Sequence, residues 1–153
     1  MTADEGAGLA IRRCSWWGTG LFVVTSAAAV AAPDAPLEVP AFVVAIVLFF
    51  AGCGAFVAAY SRAVARSRTD LIGVTDLFFL TGATAPPAVK RSLLGALAVQ
   101  VAVGLGSAIA RPYTSLAAGT LVPVYGLGLC GVWASRHGTF PRRPKDSTGR
   151  RRR

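Results

Sequence analysis

Four stretches of this chain carry no charged residue, and each is long enough to cross a bilayer. They cover residues 14–32, 39–61, 92–110 and 114–135, windows of 19 to 23 residues. At about 1.5 Å of rise per residue, each matches a hydrocarbon core about 30 Å thick. All sixteen Lys and Arg residues lie outside the windows, as do all seven acidic residues, with Glu38 at the edge of the second. Charged residues make up 15% of the chain and apolar ones 54%, whereas ordinary soluble proteins are about 25% charged. A soluble domain built from four such helices would have no amphipathic cover. In lipid, a spanning segment must satisfy its own backbone, which a helix does. The chain therefore reads as all-α: a polytopic membrane protein with a four-transmembrane-helix bundle.

The basic residues predict its orientation. Arg12 and Arg13 precede the first window, five cations (Arg62, Arg66, Arg68, Lys90 and Arg91) lie in the loop 62–91, and eight follow the fourth window. Only Arg111, between windows three and four, falls on the other side. Cytoplasmic segments carry the excess of Lys and Arg, so both termini and the loop are expected in the cytoplasm. Residues 1–13 read as a short polar N-terminus and 14–137 as the transmembrane domain. Residues 138–153, interrupted by Gly138, Pro141 and Pro144, read as a disordered basic cytoplasmic tail. Arg142, Arg143, Lys145, Arg150, Arg151, Arg152 and Arg153 are its candidate contacts to anionic lipid. Nucleic acid is the weaker partner for the tail, which lacks interleaved aromatics.

The first window has a second reading. Arg12 and Arg13, an apolar run and the Ala29-Val30-Ala31 triplet resemble a signal peptide with its cleavage site. The spanning length and the paired Trp16 and Trp17 at its edge favour a retained helix with an interfacial aromatic belt. In the second window, Gly52 and Gly54 are candidates for close helix packing. In the third, Ala98, Ala102 and Gly106 recur every four residues, with Ala96, Gly104 and Ala108 on another face beside Gln100. Such a helix suits the centre of the bundle or a bridge to a second copy. In the fourth, Pro123 presses on the carbonyl of Gly119, which predicts a kink.

In the central loop, Thr75 and Asp76 are positioned to cap a short helix carrying Leu77, Phe78, Phe79 and Leu80. That cluster is expected to lie on the membrane surface, or else to bind a partner. The two polar residues deepest in the windows are Gln100 and Tyr125, each about twelve residues, or roughly 18 Å, from the turn joining windows three and four. An unpaired amide or hydroxyl at that depth is costly, so Gln100 is expected to face the bundle interior and bond the Tyr125 hydroxyl, or the two to share one polar spot.

Chemistry is sparse. The single histidine, His137, has no carboxylate or thiol companion in sequence, and Cys14, Cys53 and Cys130 match no zinc spacing. Asp70 and Asp76 share a loop without a recognisable catalytic companion. No window contains an ionisable residue of the kind that ion-coupled transport uses. No enzyme and no cofactor is expected.

The composition, rich in Ala, Gly, Val and Arg with few Lys, is that of a high-GC bacterial genome. The stretch SLAAGTLVPVYGLGLCGVWASRHGTFPRR resembles small uncharacterised integral membrane proteins of actinobacteria. The resemblance covers mainly the third and fourth windows and implies a bacterial plasma (inner) membrane, without any functional residue. The expected role is a non-catalytic accessory or structural component of a membrane assembly, partnered by another membrane protein or by itself. The alternative is a small channel, carrier or lipid-handling protein acting as a homo-oligomer.

Overall fold

A computed structural model describes residues 3–32 and 36–142, with side chains from residue 8 onward. Among the described residues five α-helices form: α1 (Ala3–Ala31), α2 (Glu38–Arg66), α3 (Val74–Phe79), α4 (Pro87–Ala110) and α5 (Pro123–His137). A 3-10 helix, Ser115–Leu121, leads into α5. Among the described residues four helical stretches are long and apolar enough to cross a membrane: Gly8–Ala31, Glu38–Arg66, Pro87–Ala110 and Ser115–His137. The chain is an all-α four-helix bundle of the multi-pass membrane type. One end holds α3 and the loop around it; the other holds the two short turns.

The fourth span sits at the centre, touching α1, α2 and α4, and its α5 segment packs most extensively on α2. Glycines make this possible. A Cβ built on Gly52 of α2 would lie 2.5 Å from the Tyr125 backbone nitrogen, and one built on Gly128 would lie 2.5 Å from the Gly52 carbonyl oxygen. The two backbones are therefore in direct contact, an approach that any larger side chain would block. Gly54, one residue past Cys53, has nothing within 4 Å of its would-be Cβ and faces outward.

The span breaks at its proline. Pro123 has no N–H to offer the Gly119 carbonyl. That carbonyl accepts instead from the Val122 N–H at 3.2 Å, and the turn before the proline tightens into a 3-10 helix.

Four expectations need correction. First, the N-terminus is not a polar appendage before residue 14. α1 starts at Ala3 and buries Ile11 in the core, because nothing between 3 and 13 breaks a helix. Second, the Leu-Phe-Phe-Leu cluster does not lie on the membrane surface: Leu77, Phe78 and Leu80 are buried, and only Phe79 is half-exposed. Phe78 stacks on Phe56 with ring centroids 4.2 Å apart and fits against Gly131 and the end of α5. Leu80, in the left-handed region (φ 53°), ends α3 and turns back into the core. Neither Thr75 nor Asp76 caps this helix; its N-cap is Gly73, and Asp76 accepts from the Thr81 hydroxyl instead.

Third, α4 is not the central helix. Its Ala96–Gln100–Gly104 face is buried, whereas Ala98, Ala102 and Gly106 face outward. The bundle supplies a glycine partner on the first side only: a Cβ on Gly104 would lie 2.6 Å from the Gly119 carbonyl oxygen, while Gly106 meets nothing within 4 Å. Fourth, the tail begins ordered. Leu71 N–H donates to the Pro141 carbonyl (2.8 Å), Thr139 N–H to the Thr84 carbonyl (3.2 Å), and Asp70 and Arg142 form an isolated antiparallel bridge. The central loop thus holds residues 138–142 down.

Candidate functional site

The bundle's one deep polar cluster is built around Gln100. The residue is fully buried, and the small residues Ala96 and Gly104 one turn to either side let α1 and the fourth span close over it. Its Nε2 donates to Thr19 Oγ1 of α1 at 2.7 Å. Thr19 passes its own hydroxyl proton to the Ser15 carbonyl one turn back, at 2.8 Å. On the other side, the Gly126 N–H donates to Gln100 Oε1 at 3.2 Å. Gly126 lies in the first turn of α5, where backbone N–H groups look for outside acceptors. Its missing side chain leaves room, since a Cβ there would sit 2.7 Å from Oε1. One amide thus ties three spans together at a place where water is expelled.

The expected Gln100–Tyr125 hydrogen bond does not form. The two residues share a depth, but Tyr125 points from the fourth span toward α1, and its hydroxyl donates to the Cys14 carbonyl at 2.8 Å. Gly18 leaves space for that ring: a Cβ there would lie 2.5 Å from it. Helical neighbours are rotated by about 100°, so the amide meets the backbone of residue 126 while the ring of residue 125 passes on one side. Equal depth predicted the neighbourhood, and rotation decided the partners. Beside the cluster, Ser15 Oγ is buried with no hydrogen-bond partner among the described residues.

Sequence reasoning missed two further polar contacts. At the turn end, Arg111 Nη2 and Glu38 Oε1 pair at 2.7 Å, joining the connection before α2 to the one after α4. Arg111 is the one cation near the two turns in sequence, with Asp34 and Glu38 the carboxylates near them, so an ion pair there was legible but its partner was not. At the loop end, Arg66 donates to the Ser135 carbonyl (3.0 Å) and to Asp70 Oδ2 (3.3 Å), and lies over the Phe140 ring at 5.4 Å. Arg66 therefore fastens the end of α2 to the end of α5 and to the first tail residues. In sequence Asp70, four residues on, sets it apart from Arg62 and Arg68, but its contacts with Ser135 and Phe140 could not be read there.

Of the remaining expected site residues, Gly52 lies in the α2–α5 seam, and Gly119 and Pro123 stand at the break in the fourth span. Gly54 and Gly106 have nothing within 4 Å of a would-be Cβ, and Ala98 and Ala102 are exposed. Arg142 is exposed at the loop end. Arg143, Lys145, Arg150, Arg151, Arg152 and Arg153, the other expected contacts to anionic lipid, lie outside the described residues.

Chemically, the Gln100 cluster offers amide, hydroxyl and backbone groups and no nucleophile paired with a base. Among the described residues no three His, Cys, Asp or Glu side chains converge on a point that would hold a metal ion. No protein-family description, curated protein or solved structure matches this chain.

Proposed function

We propose that the chain is a bacterial inner-membrane protein with both termini and the loop 62–91 in the cytoplasm, serving as a non-catalytic accessory or structural component of a larger membrane assembly. The observation that carries this reading is the use made of Gln100. Its amide is engaged on both sides by groups of the same chain, as suits a fastening rather than a binding surface. The small-residue faces at Gly54 and at Ala98 and Ala102 stay open, as suits a protein that packs against another in the bilayer. The distribution of basic residues, fifteen of sixteen on one side, supports the orientation.

Extraction in mild detergent tests the role: a larger partner should co-purify in stoichiometric amount. A self-oligomer without one would favour the second reading, a homo-oligomeric channel, carrier or lipid-handling protein, for which the open α4 face suits a second copy. The orientation is tested in a cysteine-free variant. Tyr113→Cys should react with an impermeant thiol reagent in intact cells and Thr69→Cys only after lysis; labelling of position 69 in intact cells would reject it.

A further inference from the structure

Along the outside of the bundle, α1 and α4 leave a groove between them, and its two ends differ in chemistry. At the loop end it widens to about 590 Å³ between Arg12, Arg13, Trp16 and Trp17 of α1 and Ser92 of α4. Trp16 forms one wall, its indole N–H donating to Ser92 Oγ at 3.1 Å. Arg12 Nε is buried without a hydrogen-bond partner, and neither arginine has a carboxylate beside it among the described residues. Further along lies an apolar crevice of about 230 Å³ lined by Val23, Ala27 and Val30 of α1 with Val103, Gly106 and Ala110 of α4.

The two recesses follow one another along the same faces of α1 and α4. Positions 13, 16, 20, 23, 27 and 30 repeat at three- and four-residue intervals, as do 99, 103, 106 and 110, with 92 two turns before 99, so each set lies along one helix face. The floor is low: Gly20 and Gly106 have nothing within 4 Å of a would-be Cβ. From Arg13 to Val23 is ten residues, about 15 Å along the helix, and one leaflet of a bilayer is about 15 Å of hydrocarbon.

We infer that this groove is a binding site for one anionic phospholipid, with its phosphate held by Arg12 and Arg13 between the Trp rings and an acyl chain laid over Gly20 toward the Val23–Gly106 crevice. Three features support this occupant over a protein helix. Two guanidinium groups without a carboxylate partner among the described residues call for an anion, and Arg presents a fork that fits phosphate oxygens. Paired tryptophans suit the headgroup level. The groove turns from cationic to mainly apolar over the depth at which a lipid does, the crevice's two hydroxyls being those of Ser26 and Ser107. The site is separate from the basic tail, and it rests only on the spans lying in a bilayer, whatever the protein partner.

The test uses the full chain, purified in a neutral detergent and read by native mass spectrometry against phosphatidylglycerol, phosphatidylcholine with the same chains, and glycerol 3-phosphate. One phosphatidylglycerol should be retained in preference to phosphatidylcholine. At about fivefold per arginine, the Arg12→Gln/Arg13→Gln variant should bind it roughly thirtyfold more weakly. Arg62→Gln/Arg68→Gln, which removes two exposed cations of α2 and the loop, should leave binding unchanged. Gly106→Leu fills the crevice without touching the charges and should weaken retention of phosphatidylglycerol. That variant keeps the test alive if the arginine variant fails to fold. Equal retention of the two lipids, an arginine variant that folds and binds as the parent does, or a Gly106→Leu variant without effect would overturn the site. Binding of glycerol 3-phosphate as tight as that of the lipid would overturn it too, by showing a site for free phosphate.

Discussion

The second and fourth spans meet along the tightest seam of the molecule, yet they solve opposite problems. The second is the most apolar of the four, an unbroken helix of 29 residues, and only 22% of its spanning window is buried in the bundle. The fourth is less apolar, broken by Pro123 and thinned by Gly126, Gly128 and Gly131, and 44% of its window is buried. Between these two, the more apolar span is the less buried and the one thinned by small residues the more buried; the first span, least apolar of the four, has only 28% of its window buried, so hydropathy alone does not set burial. Lipid tails are as apolar as leucine, so apolarity gives a span no reason to turn inward; close backbone contact does.

That contrast can be broken, and the sharpest attempt is made where α3 wedges into the seam. Phe78 is buried between α2 and α5, stacked on Phe56. Phe78→Ala should cost about 3–5 kcal/mol of stability, as for other buried aromatics. Phe79→Ala, at a half-exposed ring one residue on, should cost under about 0.5 kcal/mol. Denaturation in mixed micelles compares the two directly. Equal costs would mean that α3 lies on the membrane surface after all.

A smaller effect is expected from the glycines themselves. Gly128→Val drives a side chain into the Gly52 carbonyl and should cost about 1–3 kcal/mol by overpacking. Gly54→Val, on the outward side of α2, should be neutral or slightly stabilising, since valine loses less conformational freedom than glycine. If both substitutions behave alike, the seam does not hold the two spans together.

Next comes the amide. Gln100→Leu keeps the volume and deletes bonds to Thr19 and Gly126, and should lower stability by about 1–2 kcal/mol. A Gln100→Leu protein with full stability and partner binding but without a measured transport activity would instead make the cluster part of a path for small molecules. Smallest of all, Tyr125→Phe removes one bond to the Cys14 carbonyl and should cost about 0.6 kcal/mol. A double variant then sharpens the picture: with separate partners for the two side chains, the costs of Gln100→Leu and Tyr125→Phe should add, within about 0.5 kcal/mol. Strong non-additivity would restore a direct Gln100–Tyr125 contact.

How much of this was legible from the sequence varies by residue. The charge-free windows located every span, but the helices run past them, α2 from Glu38 to Arg66 and α4 from Pro87. A ban on charge detects the part of a helix in hydrocarbon, and Arg66 and Lys90 end their helices outside it. Pro123 announced a break in the chain, because a ring without an N–H acts on its own helix. Gln100 announced that it would turn inward, because no buried amide tolerates lipid. Its partners, the burial of Leu77 and Phe78, and the outward turn of Ala98 and Ala102 could not be read.

By itself, then, the sequence determined that there are four spans and where each crosses, because the free energy of placing a residue in hydrocarbon is local and sums along one helix. Which face of each helix turns inward was decided only by the tertiary structure. Two glycines such as Gly52 and Gly128 meet only if both helices adopt the right rotation and depth together. That is a property of the pair of helices, and neither sequence window contains it. The groove between α1 and α4 arises in the same way: its arginines, its glycine floor and its apolar crevice come from segments some 80 residues apart, which only packing brings side by side.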